Sequence, residues 1–217
     1  MNDKPKPPNR PLQLTGPAPA CGIRRFEGPA PQLNVMYVGR TKVGETSMAT
    51  LFNYVGPDSI RLAARSSPRG TLITSPALLA DWMQTHRDDD RGWVTYTISE
   101  NGNLLIAPRR SEHVACAGGG PVQAAGEMRF GPHGEVLEVT NNSTGFCPAE
   151  DCWSAVESAL NAAGLRHPGE FTFVAVFRRC TRCESRNLVK DDWFVCAICS
   201  ADLPRNWNFE LGSAAPC

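Results

Sequence analysis

The stretch WVTYTISENGNLLIAP, residues 93–108, carries the decision about fold class. Val94, Tyr96 and Ile98 alternate with Trp93, Thr95 and Thr97, a period of two that predicts a half-buried strand over 93–99. Asn101-Gly102 follows, and both residues tolerate the positive φ of a tight hairpin turn. NLLIAP (103–108) then returns as the antiparallel partner.

Working outward, two more strands are expected at 122–130 and 135–140, joined at PHG (132–134). Upstream, Ser75 stands as N-cap and Pro76 as first residue of a helix, with Leu78, Leu79, Trp82 and Met83 at helical spacing. HRDDDRG (86–92) ends it. DCWSAVESALNAAG (151–164) predicts a second helix, with Trp153, Val156, Leu160 and Ala163 on one face and Gly164 suited to a C-cap. NVMYVGR (34–40) reads as a strand, GETSMATLFNYV (44–55) as a short helix and FTFVAVF (171–177) as an apolar strand. Hairpins outnumber βαβ units. The expectation is therefore α+β: a mixed or antiparallel sheet with two or three helices, plus a C-terminal zinc ribbon. The expected organisation is a disordered Pro-rich leader (1–20), an α+β domain (21–170), a zinc ribbon (171–211) and a tail (212–217).

The ribbon is read from CTRCESRNLVKDDWFVCAIC (180–199). A Cys-x-x-Cys turn aims two sulfurs at one point, and two such turns complete a tetrahedral shell. Cys180, Cys183, Cys196 and Cys199 have that spacing, with FTFVAVF feeding the first turn and WFV (193–195) the second. A redox pair opens a helix in a βαβ setting and needs only one CxxC, and cytosolic thiols stay reduced. Structural Zn²⁺ is thus favoured over disulfides or redox chemistry. Arg178, Arg179, Arg182 and Arg186, with Trp193, Phe194, Trp207 and Phe209, suggest a surface for nucleic acid. Charge argues against it. Residues 178–210 hold six basic and five acidic side chains, and four thiolates on Zn²⁺ bring the balance to about −1. LPRNWNF (203–209) is expected to pack back on the ribbon or the main domain.

The second informative stretch is SEHVACAGGGPVQAAGEMRFGPHGEVLEVTNNSTGFCP (111–148). Gly118, Gly119 and Gly120 allow a tight turn or close approach of backbone to a ligand, but the GK[ST] ending of a P-loop is missing. His113, Gly118-Gly119, Ala124-Ala125-Gly126-Glu127 and Ser143 to Pro148 follow an order that resembles a segment of plant IQ-motif calmodulin-binding proteins and of bacterial toxin-associated proteins. The likeness covers about fifty residues. Gly145-Phe146 stand where that pattern has His-Tyr, and no IQ helix is visible, so calmodulin is not implied. The C-terminal half also resembles bacterial proteins of uncharacterised function that end in RRCxxCxxxNxVKDxWFVCxxC.

His113, read on a strand, with Glu127 and Cys147, forms a candidate catalytic or ligand cleft in which Cys and His serve as nucleophile and base. Alternatively His113-x-x-Cys116 and Cys147-x4-Cys152 make a second metal site, or all are structural. Cys21 and Cys217 fall in the expected tails. The 217 residues carry no net charge, against a dedicated nucleic-acid binder. No apolar run reaches the ~20 residues of a membrane span. The expectation is a zinc-binding cytoplasmic protein, a non-enzymatic interaction module with protein partners. The alternatives are an enzyme or small-ligand binder using the cleft at His113, Gly118–Gly120 and Glu127, and a nucleic-acid-associated ribbon.

Overall fold

The computed structural model describes residues 49–86 and 90–212. The proline-rich leader, the strand expected at 34–40, and Cys21 and Cys217 lie outside the described residues.

The architecture is α+β. In chain order the elements are α1 (Asp58–Arg65), β1 (Thr71–Leu72), α2 (Pro76–Thr85), β2 (Trp93–Ser99), β3 (Leu104–Pro108), α3 (His113–Cys116), β4 (Val122–Phe130), β5 (Val136–Val139), α4 (Trp153–Ala162), β6 (Val176–Arg179) and β7 (Arg186–Val189). A five-stranded sheet has the order β1-β3-β2-β4-β5, and every neighbouring pair is antiparallel. β6 and β7 make a separate two-stranded sheet. Among the described residues there are four α-helices where two or three helices were expected. α1 and α3 are short and lack the long apolar period that reveals a helix in a sequence.

The β2–β3 hairpin forms as its residues dictate. Ile98 pairs with Leu104 and Gly102 takes φ +75° in the turn. β2 differs from expectation in one respect: it is buried on both faces, not half-buried. Val94, Tyr96 and Ile98 join the main core with Leu79 and Trp82 of α2 and Val156 and Leu160 of α4. The threonines of the other face are covered too. Thr95 donates its hydroxyl to the Arg109 carbonyl at 2.9 Å, and Thr97 lies 3.6 Å from the sulfur of Cys116 on α3. Hydroxyls with partners can be buried without the desolvation penalty that an alternating pattern presumes.

Ser75 caps α2 as expected, accepting from the Leu78 amide at 3.3 Å. α4 ends in Gly164 at φ +69°, the left-handed geometry that favours glycine at a helix end. The helix expected at 44–55 does not form within 49–55. That stretch runs extended, and Phe52 bridges antiparallel to both Val122 and Leu211. A short apolar run does not distinguish helix from strand. Here Phe52 gains a fully buried position and an edge-on contact with Trp207.

Gly126 positions the centre of the sheet. A Cβ at this residue would overlap the Thr140 carbonyl oxygen, so only glycine lets β4 approach the segment after β5 so closely. The same carbonyl accepts the Tyr96 hydroxyl at 2.8 Å. Past β5, Thr140 bridges parallel to Phe173. Asn141 accepts the Ala175 amide at 2.6 Å and donates its own amide to the Ala175 carbonyl at 2.9 Å. Thr172 donates its amide to the Val139 carbonyl at 2.9 Å, and at Ala175 the Asn141 side chain stands in for a backbone partner. Of the strand expected over 171–177, only β6 pairs as a regular ladder.

Candidate metal centre

β6 and β7 carry a pair of matching turns. Cys180 donates its amide to the Ser185 carbonyl and accepts the Glu184 amide, both at 2.9 Å. Cys196 repeats the pattern with the Ala201 carbonyl at 2.8 Å and the Ser200 amide at 3.0 Å. Glu184 and Ser200, each directly after the second cysteine of its pair, take φ +59° and +58°. Two Cys-x-x-Cys loops with one hydrogen-bond scheme and one left-handed residue are therefore brought face to face. Val195 makes only a single bridge, to Asp202, so the strand expected at 193–195 is not one and β7 takes its place.

The sulfurs of Cys180, Cys183, Cys196 and Cys199 all lie within 4.8 Å of one another. Cys180 is 3.6 Å from Cys199, and Cys183 is 3.6 Å from Cys196. These separations are well beyond the ~2.05 Å of a disulfide, and all four are free thiols. Four soft donors converging on one point can hold a metal ion. Cys180 and Cys196 are buried and Cys183 is exposed, so the cluster sits at the surface with one open edge. The Ser185 hydroxyl is 3.2 Å from the Cys196 sulfur and 3.1 Å from that of Cys183. Hydrogen bonding from Ser185 pulls the Cys196 thiol down to about 5. Ile198 adds its amide to the same sulfur at 3.4 Å. Donors that favour thiolate also orient it for a cation. Ser185 and Asn187, whose side-chain amide is 3.7 Å from the Cys196 sulfur, were not found by spacing. A small polar residue just past a CxxC is the only trace they leave in the sequence.

The other candidates are distributed differently. His113 opens the short helix α3, not a strand, and donates Nε2–H to the Gly126 carbonyl at 3.0 Å. Loss of water around the ring lowers its pKa below the usual imidazole range. Glu127 lies near enough to act on His113 electrostatically, but its carboxylate is paired with Arg109 at 3.2 Å. Cys147 stands apart. Its sulfur faces the Thr144 carbonyl at 3.4 Å, among Ala175, Phe177 and Phe209, and burial pushes the thiol up to about 12. No hydrogen bond joins it to His113 or Glu127 among the described residues. The Cys–His pair of a thiol nucleophile is thus not assembled. Nor do His113, Cys116, Cys147 and Cys152 gather: the four-cysteine cluster is the one such group among the described residues. Gly118 and Gly119 take φ +68° and +79°, and a Cβ on Gly119 would crowd Arg65 and the Arg61 carbonyl. The glycine turn therefore packs against α1 of its own chain.

The arginines read as a nucleic-acid surface are largely engaged. Arg178 is buried, pairs with Glu150 at 2.7 Å and donates to the carbonyls of Pro204 and Arg205. Arg179 lies over Phe209 and Arg186 donates to the Thr144 carbonyl at 2.8 Å. Trp207 donates its indole N–H to the Cys147 carbonyl at 2.8 Å. LPRNWNF thereby packs on both the hairpin and the main core. None of the described helices is long and apolar enough to cross a membrane. Comparison of the chain with models of protein families, with curated proteins and with solved structures returns no match.

Proposed function

We propose that the chain is a zinc-binding, non-enzymatic interaction protein of the cytoplasm, and that its C-terminal hairpin is a zinc ribbon presenting a surface to a protein partner. A regular tetrahedron with Zn–S bonds of ~2.3 Å has edges of about 3.8 Å, and the 3.6 Å sulfur pairs are close to that. Four protein thiolates leave no open coordination position, so the metal's part is structural. Cys180, Cys183, Cys196 and Cys199 would hold it, and free thiols suit a reducing compartment.

The observation that carries the interaction reading is the exposure of Trp193 and Ile198, 70% and 75% respectively, beside and within the second CxxC loop. A clamped loop holds these groups without the ordering cost of a flexible one, and tryptophan is a frequent anchor of interfaces. Burial of Arg178 against Glu150 and the intramolecular contacts of Arg179 and Arg186 favour protein over nucleic acid, and the lack of a hydrogen bond between Cys147 and His113 among the described residues favours the non-enzymatic reading. The test compares co-purifying partners of the wild type and Trp193→Ser. Zinc content should be equal in the two, and a partner held by wild type should be lost from the variant. Identical partner sets, or binding to RNA or DNA that falls steeply with salt, would overturn the proposal.

A further inference from the structure

A cavity of about 470 Å³ opens between α2, the start of β2 and the turn joining β4 to β5, remote in sequence from the cysteine hairpin. This volume lies in the ~300–1,000 Å³ range of small-molecule sites. Trp82, Trp93 and Phe130 supply aromatic walls, Pro132 an apolar rim, and His86 and His133 the titratable groups. No Asp, Glu, Lys or Arg lines it among the described residues.

His86 is held in a defined state. Its ring stacks on Trp82 with centroids 4.1 Å apart and planes 11° from parallel. Its Nδ1 lies 2.9 Å from the Trp82 carbonyl and 2.9 Å from the Thr85 hydroxyl. The Thr85 hydroxyl already donates to that same carbonyl at 2.8 Å. A carbonyl only accepts, so Nδ1 carries the hydrogen. In the neutral ring Nε2 then keeps its lone pair, and it has no hydrogen-bond partner among the described residues. His86, which lines the cavity, thus has a fixed tautomer and, among the described residues, an unpaired acceptor.

We propose that this cavity binds a small, neutral, fused-ring heteroaromatic molecule, its ring N–H donating to Nε2 of His86. The aromatic walls select a flat ring system by burial and edge or face contacts, and the acceptor selects among rings of one shape. Indole and benzothiophene test this directly, since they share shape and only indole has an N–H. Titrated by calorimetry, indole should bind saturably and benzothiophene about tenfold more weakly, the ratio that one net hydrogen bond of ~1.4 kcal/mol supplies. His86→Phe, which keeps a stacking ring, should bind the two probes equally. The wild type alone gives a second readout. Of five indole N–H signals in a ¹H–¹⁵N spectrum, those of Trp82 and Trp93 should move with indole, and those of Trp153, Trp193 and Trp207 should not. No saturable binding of indole at millimolar concentration overturns the proposal. So do equal affinities for both probes in the wild type, a preference that survives His86→Phe, or shifts confined to the other three tryptophans. None of these outcomes bears on zinc binding.

Discussion

The five-stranded sheet and the cysteine hairpin belong to one chain but bury cores of very different size. The sheet buries a continuous apolar cluster from Phe52 to Phe171. Its central strand hides even its threonines. The hairpin buries only Cys180, Val189, Cys196 and Leu203 as a core of its own, and leaves Leu188, Trp193 and Ile198 in solvent. From Val176 to Leu203 it is shorter than the ~40 residues below which a core needs a metal, a disulfide or a partner. Burial at ~25 cal/mol per Å² can hold the sheet together, whereas the hairpin has little apolar burial of its own, and on the proposed reading a metal held by its four cysteines supplies the rest.

The largest expected effect separates the two regions outright. Structural zinc contributes on the order of 10–16 kcal/mol to small zinc peptides. Metal analysis should give about one zinc per chain, lost in Cys180→Ser/Cys196→Ser. Hydrogen exchange should then show the Glu184 and Leu203 amides unprotected while the Tyr96 and Val122 amides stay protected. Full protection of both sets without metal would erase the distinction.

Gly126→Ala strikes the sheet instead. With a methyl forced onto the Thr140 carbonyl, thermal or denaturant unfolding should show a loss of about 3 kcal/mol, with zinc content unchanged. Arg178→Met probes the joint. It removes the guanidinium from Glu150 and from the carbonyls of Phe177, Pro204 and Arg205, and should cost about 2 kcal/mol. The emission of Trp207 should change with it; an unchanged spectrum and unchanged stability would mean that the two regions are independent. Ser75→Ala removes the cap of α2, for about 1 kcal/mol in the same unfolding experiment.

The smallest effect is a pH dependence. Burial holds the folded pKa of His113 below the ~6.5 of an exposed imidazole. As pH falls through 6.5 the unfolded chain takes up a proton before the folded one does, so stability declines there and is complete above it. Denaturation midpoints at pH 5.5 and 7.5 should show this slope in the wild type and less of it in His113→Asn.

Much of this was legible in the residues, for identifiable reasons. Ser75-Pro76, Asn101-Gly102, Gly164 and the cysteine spacing are local devices whose geometry follows from their own chemistry. They located α2, the β2–β3 hairpin, the end of α4 and the four-cysteine cluster. What stayed hidden depends on partners distant in sequence. Phe52 is extended because Val122 and Leu211 lie on either side of it. Residues 171–175 hold on to β5 and the segment after it by a single backbone hydrogen bond at Thr172, one bridge at Phe173 and the Asn141 side chain at Ala175. His113 heads a single helical turn too short to have a period. Arg178, which looked like part of a basic surface, is an interior group. A charge in a sequence does not reveal whether a carboxylate and several carbonyls await it.

That interior arginine has a practical corollary. Hairpins of this kind are often treated as portable modules, to be cut out and grafted elsewhere. Here the graft would not travel well. Excision near residue 170 would strand the Asn141 amide and the Glu150 carboxylate on one side, and on the other it would release Arg178 and Trp207 from the groups that fix them. Leu211 would also leave its bridge to Phe52, uncovering the core at the far end of the chain. A cut intended to isolate the hairpin would damage the sheet it leaves behind.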